Sequence, residues 1–460
     1  MKEADLNRIV SKMKKNPFIR YNGETYFYRD SESQVWTPFP KRELIKQIRK
    51  IYLAGTADDS VSNARMLADE LRNNDAFDMP IHEKKSRPLV ITKCGKVGIG
   101  RASWKIESVK ETDFETHAFD FSFQREAKWE DAPAFCEYAK TSLGIDLLND
   151  KESSAKRQLL TEILAYAVSE VYGAKKMIIF LGPTNSGKTV LLNLLRNVAG
   201  ADGYAPLSLE DMSDRFRAAI LADVPLILND EIGGNGIKRL EILKKVISGE
   251  PVILEKKGRD PKTCQIHVKP IFAANVLPQL LEYDSGNAFA ERLQILYFPK
   301  SIPREQWKLD LSERICEEKD VIFSCSIMEA NDFFERLRFT DVPDGCKILN
   351  AYKEENATVQ SFISDCCILG AGMYEYTNIL YEKYLNFCDS NCHRSIPRKM
   401  FRDQLIQSGF EICKGRVPGG PPLSRVSGIK LKEAGFDDQD EIGTARRFLR
   451  PCNSDMACSS

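Results

Sequence analysis

A chain of 460 residues, 43% hydrophobic and 29% charged, has room for about two to four domains with sizeable buried cores. Its 66 basic and 66 acidic side chains cancel, which excludes a globally basic nucleic-acid-binding protein and leaves only local basic surfaces. No apolar run reaches the roughly 18 residues of a membrane span, no signal core follows Met1, and 13 scattered cysteines lack framework spacing, so a cytoplasmic chain with free thiols and no membrane partner is expected.

Leu6, Ile9, Val10 and Met13 lie at helical spacing, and Asn16-Pro17 ends that helix. Phe18–Tyr21, the turn Asn22-Gly23 and Thr25–Tyr28 read as a hairpin, with Val35-Trp36-Thr37 as a candidate third strand. A second helix carries Leu44, Ile45, Ile48, Ile51 and Tyr52, and Leu89–Thr92 is a strand. Asp113, Glu115, His117 and Asp120 alternate with Phe114, Phe119 and Phe121, so a half-buried strand is expected there in preference to a carboxylate active site. From Trp129 to Tyr172 the pattern turns helical, with Phe135, Tyr138, Ala139 and Leu143, then Leu159, Leu160, Ile163, Leu164 and Val168.

Met177–Leu181 is a short apolar stretch that reads as a buried strand. It runs into Gly182-Pro183-Thr184-Asn185-Ser186-Gly187-Lys188-Thr189, which fits the phosphate-loop pattern G-x-x-x-x-G-K-[ST]. Val190, Leu191, Leu192, Leu194 and Leu195 then continue as a helix. The glycines let backbone N–H groups curl around a phosphate at a helix N-terminus that favours anions. Lys188 is expected to reach the β- and γ-phosphates of ATP, and Thr189 to hold Mg²⁺.

About forty residues on, the apolar strand Val224–Asn229 ends in Asp230-Glu231. Asp230 suits the Mg²⁺ shell and Glu231 the polarisation of an attacking water. Pro251–Leu254 and Thr263–Val268 frame a hairpin whose tip carries Lys256, Lys257, Arg259 and Lys262 against Asp260, a charge balance that suits a nucleic-acid backbone. Val268–Ala274 is the next strand, and Asn275 at its end can sense a γ-phosphate. Arg292 stands just before a last core strand, Leu293–Phe298.

In the C-terminal part, Phe401, Leu405 and Ile406 give a helix its buried face, while Arg398, Lys399 and Arg402 lie on the same helix. Glu411–Arg416 and Val426–Lys432 frame a Pro/Gly loop as two strands around a wing. Residues 394–432 hold nine Lys or Arg against Asp403 and Glu411, a net of +7 that restores local DNA binding to a neutral protein. Cys388, Cys392 and His393 lack a paired Cys-x-x-Cys, so zinc is not expected. The tail after Phe436 is polar.

Phosphate loop, Asp-Glu strand, basic hairpin, Asn-ended strand and Arg-led strand, in this order, resemble a superfamily 3 helicase. More closely, residues 130–435 are similar to the helicase module of phage and plasmid primase-helicases, the group related to the poxvirus NTPase-primase. Leu243–Glu250 and Phe272–Pro278 carry the likeness in the core; Leu380–Tyr384, Ile396–Phe401 and Gly428–Lys432 carry it downstream.

The resemblance implies an α/β fold: an AAA+-like ATPase core (177–300) behind a mixed α+β N-terminal region (1–128) and a helical collar (129–176). A helical linker (301–360), a C-terminal winged helix (361–435) and a loose tail (436–460) complete the expected order. It further implies a hexameric ring that moves 3′→5′ on single-stranded DNA during replication of a phage, plasmid or integrated element, and that engages origin DNA. ATP would lie between subunits, with Lys188, Thr189, Asp230, Glu231 and Asn275 from one and Arg292 from the next, while Lys256 and Lys257 line the channel. Such modules often follow a primase domain, and residues 1–128 do not read as one, so priming by a separate protein is expected. The rival reading is an origin-binding protein that uses ATP only to assemble; Glu231 argues against it, because assembly needs no water-activating carboxylate.

Overall fold

The computed structural model describes residues 3–15, 19–21, 26–29, 35–73, 89–98, 105–107, 116–149, 155–214, 220–221, 224–232, 237, 239–254, 262–278, 280, 284, 287–391, 393, 395–415 and 423–432. The chain divides into two compact units, Met1–Asn356 and Ala357–Ser460.

The first unit opens with α1 (Glu3–Lys15) and the strands β1 (Ile19–Tyr21), β2 (Tyr26–Tyr28) and β3 (Thr37–Phe39), which form one antiparallel sheet with Tyr21 opposite Tyr26. The third strand starts at Thr37, two residues later than the sequence suggests. Next come α2 (Lys41–Ile48) and α3 (Val61–Arg72). The sequence reading did not anticipate α3, which is capped by Ser60 Oγ accepting from the Asn63 N–H. Ile9, Met13, Ile19, Leu44, Ile48 and Leu67 close a core belonging to this part alone.

A second small sheet holds β4 (Leu89–Thr92), β5 (Gly95–Gly98) and β6 (Lys105–Glu107). Asp113, Glu115 and Phe114 lie outside the described residues, and the strand expected around His117 does not form. Phe119 makes a single bridge to Thr92, and the next N–H, that of Asp120, donates instead to Val198 O at 2.7 Å. The backbone is shared between two neighbours, so no ladder propagates, although Phe119, Phe121 and Phe123 still point into the core. Asp120 is held by Lys93 at 2.7 Å and Lys319 at 3.0 Å, and these cations keep its carboxyl below the usual range against the opposing effect of burial.

The central body follows. Helix α4 (Pro133–Tyr138) runs on as a π turn through Ala139–Leu143, and α5 (Ala155–Ala167) is buried along most of its length. Next come β7 (Met177–Leu181), α6 (Lys188–Ala199), β8 (Tyr204–Ala205), α7 (Leu209–Ser213), β9 (Leu226–Asn229) and α8 (Leu240–Ser248). The hairpin β10 (Pro251–Leu254) and β11 (Lys262–Gln265), then β12 (Lys269–Ala274) and β13 (Leu293–Tyr297), complete the strands.

Five strands make one parallel sheet in the order β13-β7-β12-β9-β8. All five residues of β7 are buried because the sheet is covered on both faces. Ile178 and Phe180 enter one core with residues of α4, α5 and α6, while Met177, Ile179 and Leu181 enter a second with residues of α7 and α8.

Residues 301–356 pack into the same body through α9 (Leu311–Glu317), α10 (Lys319–Glu329), α11 (Asn331–Arg336) and α12 (Pro343–Asn356). Ile322, Phe323 and Phe333 join the first core, and Tyr352 joins the second. Glu162 of α5, almost fully buried, accepts from Arg336 and from the Thr340 N–H and hydroxyl, both at 2.7 Å. Among the described residues no helix is long and apolar enough to cross a membrane.

The second unit runs α13 (Thr358–Cys366), β14 (Cys367–Tyr376), α14 (Thr377–Ser390), α15 (Arg398–Gln407), β15 (Ile412–Gly415) and β16 (Leu423–Leu431). Its antiparallel sheet has the order β14-β16-β15. Phe362, Leu380, Tyr384, Phe401, Leu405, Val426 and Ile429 form its core. Ile406, expected inside, is 52% exposed; Gln404, two residues earlier in the helix, takes that place on the inner face at 5%.

Candidate functional site

The strand register fixes what can meet at the phosphate loop. Phe272 of β12 is level with Ile179 of β7 on one side and with Asn229 of β9 on the other. Residues just past the ends of these three strands, namely Gly182, Asp230, Glu231 and Asn275, therefore share the carboxyl edge of the sheet. In open α/β sheets this is the edge where ligands bind.

The loop itself is set by close approach and by donors from outside. A Cβ on Gly182 would fall 2.4 Å from Phe298 O, and one on Gly187 would fall 2.5 Å from Ser142 Oγ. Gly187, at φ +96°, and Asn185, at φ +60°, turn the chain through the left-handed region into α6. Ser301 Oγ donates to Thr184 O at 2.7 Å, the Ile302 N–H to Asn185 O at 2.8 Å, and Tyr138 OH to Gly187 O at 2.9 Å. Lys188 Nζ takes two further carbonyls, Gly182 O at 2.7 Å and Pro183 O at 2.6 Å. The N–H groups of Thr184 to Gly187 donate to nothing among the described residues.

Lys188 also reaches Ser186 Oγ at 3.2 Å and Asn275 Oδ1 at 3.0 Å. It is buried, and burial lowers its pKa. Its acceptors are neutral oxygens, so a phosphate that replaced them would meet an ammonium with no carboxylate competing for it. Asn275 Nδ2 donates to Thr184 Oγ1 at 3.4 Å, which ties the end of β12 to the loop.

Thr189, the second residue of α6, is exposed. Asp230 is exposed too, and its carboxylate lies 2.8 Å from the Arg196 guanidinium, a partner the sequence reading did not name. Glu231 is exposed; its N–H is held by Asn229 Oδ1 at 3.0 Å. The hydroxyl of Thr189 and the carboxylate of Asp230 are the oxygen donors that a hard cation such as Mg²⁺ takes. The donor set fits that ion once Asp230 exchanges Arg196 for it.

Arg292 lies elsewhere. Leu293 pairs with Met177 at the start of β7, so Arg292 sits at the amino edge, about six residues or roughly 20 Å along the strand from Gly182. That exceeds the reach of its side chain. Arg292 Nε donates to Ser248 Oγ at 2.8 Å and Nη1 to Ala288 O at 2.7 Å. Among the described residues it meets no carboxylate at ion-pair distance.

Pro251–Leu254 pairs in antiparallel register with Lys262–Gln265. Lys256, Lys257 and Arg259 lie outside the described residues. Lys262, expected in the tip, is instead the first residue of β11, opposite Leu254. In the second unit Arg398, Lys399 and Arg402 are all exposed on α15, while Phe401 and Leu405 are fully buried.

A family of unknown function, DUF5906, matches residues 180–292, a stretch that runs from the end of β7 to Arg292 and is well under half of the chain. Solved structures of the apo C-terminal region of NrS-1 are similar to the chain. One is 12% identical with a TM-score of 0.49, over 93% of this chain and 100% of that one. Another, in its A form, is 12% identical with a TM-score of 0.47, over 92% and 100%. A further A-form structure is 11% identical with a TM-score of 0.45, over 91% and 98%.

Proposed function

We propose that the chain is an ATP-dependent DNA helicase of the superfamily 3 kind, acting in replication of a mobile element. The observation that carries this reading is the carboxyl edge of the sheet, where the phosphate loop, Asp230, Glu231 and Asn275 converge, with Asn275 3.0 Å from Lys188. Numbered in chain order from β7, the five strands stand 5-1-4-3-2, the arrangement of an AAA+-like ATPase. The Asn-ended strand separates the loop strand from the Asp-Glu strand, so Asn275 can monitor both.

In this reading the loop N–H groups and Lys188 bind the phosphates of ATP. Thr189 and Asp230 hold Mg²⁺, which neutralises charge on the β- and γ-oxygens when bound. Glu231 orients the attacking water and draws off its proton. Arg292 cannot serve its own loop, which supports its use across an interface in a ring, hexameric in the proposal. The tip between β10 and β11, with Lys256, Lys257 and Arg259, grips single-stranded DNA, and movement is 3′→5′.

The order helix, strand, helix, helix, strand, strand in the second unit, with its last strand central, supports reading it as a winged helix. Arg398, Lys399 and Arg402 on α15 offer phosphates an exposed cationic face, suited to origin DNA. In this reading α4 and α5 belong to the collar, and priming is left to a separate protein.

The test is ATP hydrolysis with and without single-stranded DNA, with assembly followed on a sizing column. Stimulation by DNA is expected for the parent. The Lys256→Ala/Lys257→Ala variant should keep basal turnover and lose the stimulation. A parent that hydrolyses no ATP with or without DNA rejects the proposal.

A further inference from the structure

The peptide linking Gly187 to Lys188 is planar, so the direction of the Gly187 C=O fixes that of the Lys188 N–H on the opposite side. The Lys188 N–H opens α6, at the helix end where a phosphate loop receives its anion. The carbonyl accepts from the Val190 N–H of α6 at 3.2 Å and, at the shorter distance of 2.9 Å, from outside the nucleotide core, where Tyr138, the last residue of α4, donates its hydroxyl. Tyr138 is 1% exposed, and burial pushes its pKa far above the usual tyrosine value, so it stays a protonated donor at any working pH. One turn on, Ser142 is also 1% exposed, and its Oγ has no hydrogen-bond partner among the described residues. A Cβ at residue 187 would sit 2.5 Å from that oxygen and 3.0 Å from the Tyr138 ring.

We propose that Tyr138 is a positioning residue for the nucleotide. It aims the 187–188 amide at the phosphates, above a turn that leaves no room for a side chain at residue 187. The segment ahead of the core is then part of the ATP site, and nucleotide binding draws directly on how α4 is seated. This rests on the ATP-binding reading above.

The test is titration of a fluorescent ATP analogue with Mg²⁺ into the full chain, comparing parent, Tyr138→Phe, Ser142→Ala and Lys188→Ala. Tyr138→Phe keeps the ring and loses one hydrogen bond, which in free energy corresponds to about five- to tenfold weaker binding. KM for ATP should rise with it, kcat should stay within about twofold, and melting without nucleotide should fall only by the few degrees that one lost hydrogen bond explains. Ser142→Ala removes an unpartnered hydroxyl and should bind as the parent does. Parent-like affinity in Tyr138→Phe overturns the proposal, as does an affinity loss that disappears when binding is read well below the variant's melting temperature, which marks a purely structural tyrosine. If the parent binds no better than Lys188→Ala, the ATP-binding reading fails first and takes this one with it.

Discussion

Two buried lysines stand at opposite edges of the central sheet, and their surroundings differ in kind. Lys188, at the carboxyl edge, lies against two loop carbonyls, a serine hydroxyl and the Asn275 amide oxygen. Lys269, at the amino edge, is fully buried; its ammonium meets Tyr166 O at 2.6 Å, Ser169 O and Ser169 Oγ, and faces the rings of Tyr166 and Tyr172 at 4.6 and 4.8 Å. Burial lowers the pKa of both. The acceptors of Lys269 belong to the C-terminal end of α5 and the turn after it, so the charge completes a helix end and has nowhere else to go. Those of Lys188 belong to a turn that can hand it to a ligand. A buried ammonium is a candidate for binding where its partners are replaceable, and a strut where they are not.

The largest break in this comparison should come from Lys188→Ala. As the cation proposed to balance γ-phosphate charge, Lys188 should on removal take turnover below detection while the fold persists, as checked by ATPase assay and circular dichroism. Parent-like turnover would return Lys188 to the class of Lys269.

Arg292 shares the amino edge with Lys269 but carries a charge that, among the described residues, only Ser248 Oγ and Ala288 O attend. Arg292→Ala should slow a pure ring by about 10³-fold, and mixing it with Lys188→Ala subunits should restore part of the activity, because some interfaces then pair an intact loop with an intact arginine. Mixed rings that form and regain nothing would make Arg292 a structural residue of its own subunit.

Lys269→Met should leave turnover per folded molecule near the parent value and act on stability. Three oxygens lose their donor, at a cost of about 3 kcal/mol in a urea melt. A smaller effect lies in the pH dependence. Burial holds the folded pKa of Lys269 below its unfolded value, so between the two the unfolded chain binds more protons and stability rises with pH. The steepest contribution is about 1.4 kcal/mol per pH unit, and Lys269→Met should flatten that rise above neutral pH.

These two lysines also mark what could be read from sequence. The phosphate loop is legible because its chemistry is local: two glycines, a lysine and a flanking strand and helix within about twenty residues. The Asn-ended strand and the Asp-Glu strand are legible as apolar runs of β length, while their parallel pairing is seen only in the structure. Lys269 gave no such signal, since its acceptors lie 100 and 103 residues away, and Tyr138 reads as a packing residue until Gly187 O is placed beside it. The alternation around Phe119 reported burial correctly but not pairing, because a ladder needs a neighbour along its whole length. Arg196 could have been suspected as a cation two turns along the loop helix, yet its reach to Asp230 depends on where β9 ends.

The most direct test of the account is equilibrium binding of a fluorescent ATP analogue with Mg²⁺ to the parent, Lys188→Ala and Lys269→Met, each shown folded at the temperature used. Binding by the parent and Lys269→Met, with at least about tenfold loss in Lys188→Ala, is the predicted result. Equal affinity in all three, or loss in Lys269→Met with Lys188→Ala unaffected, would contradict it.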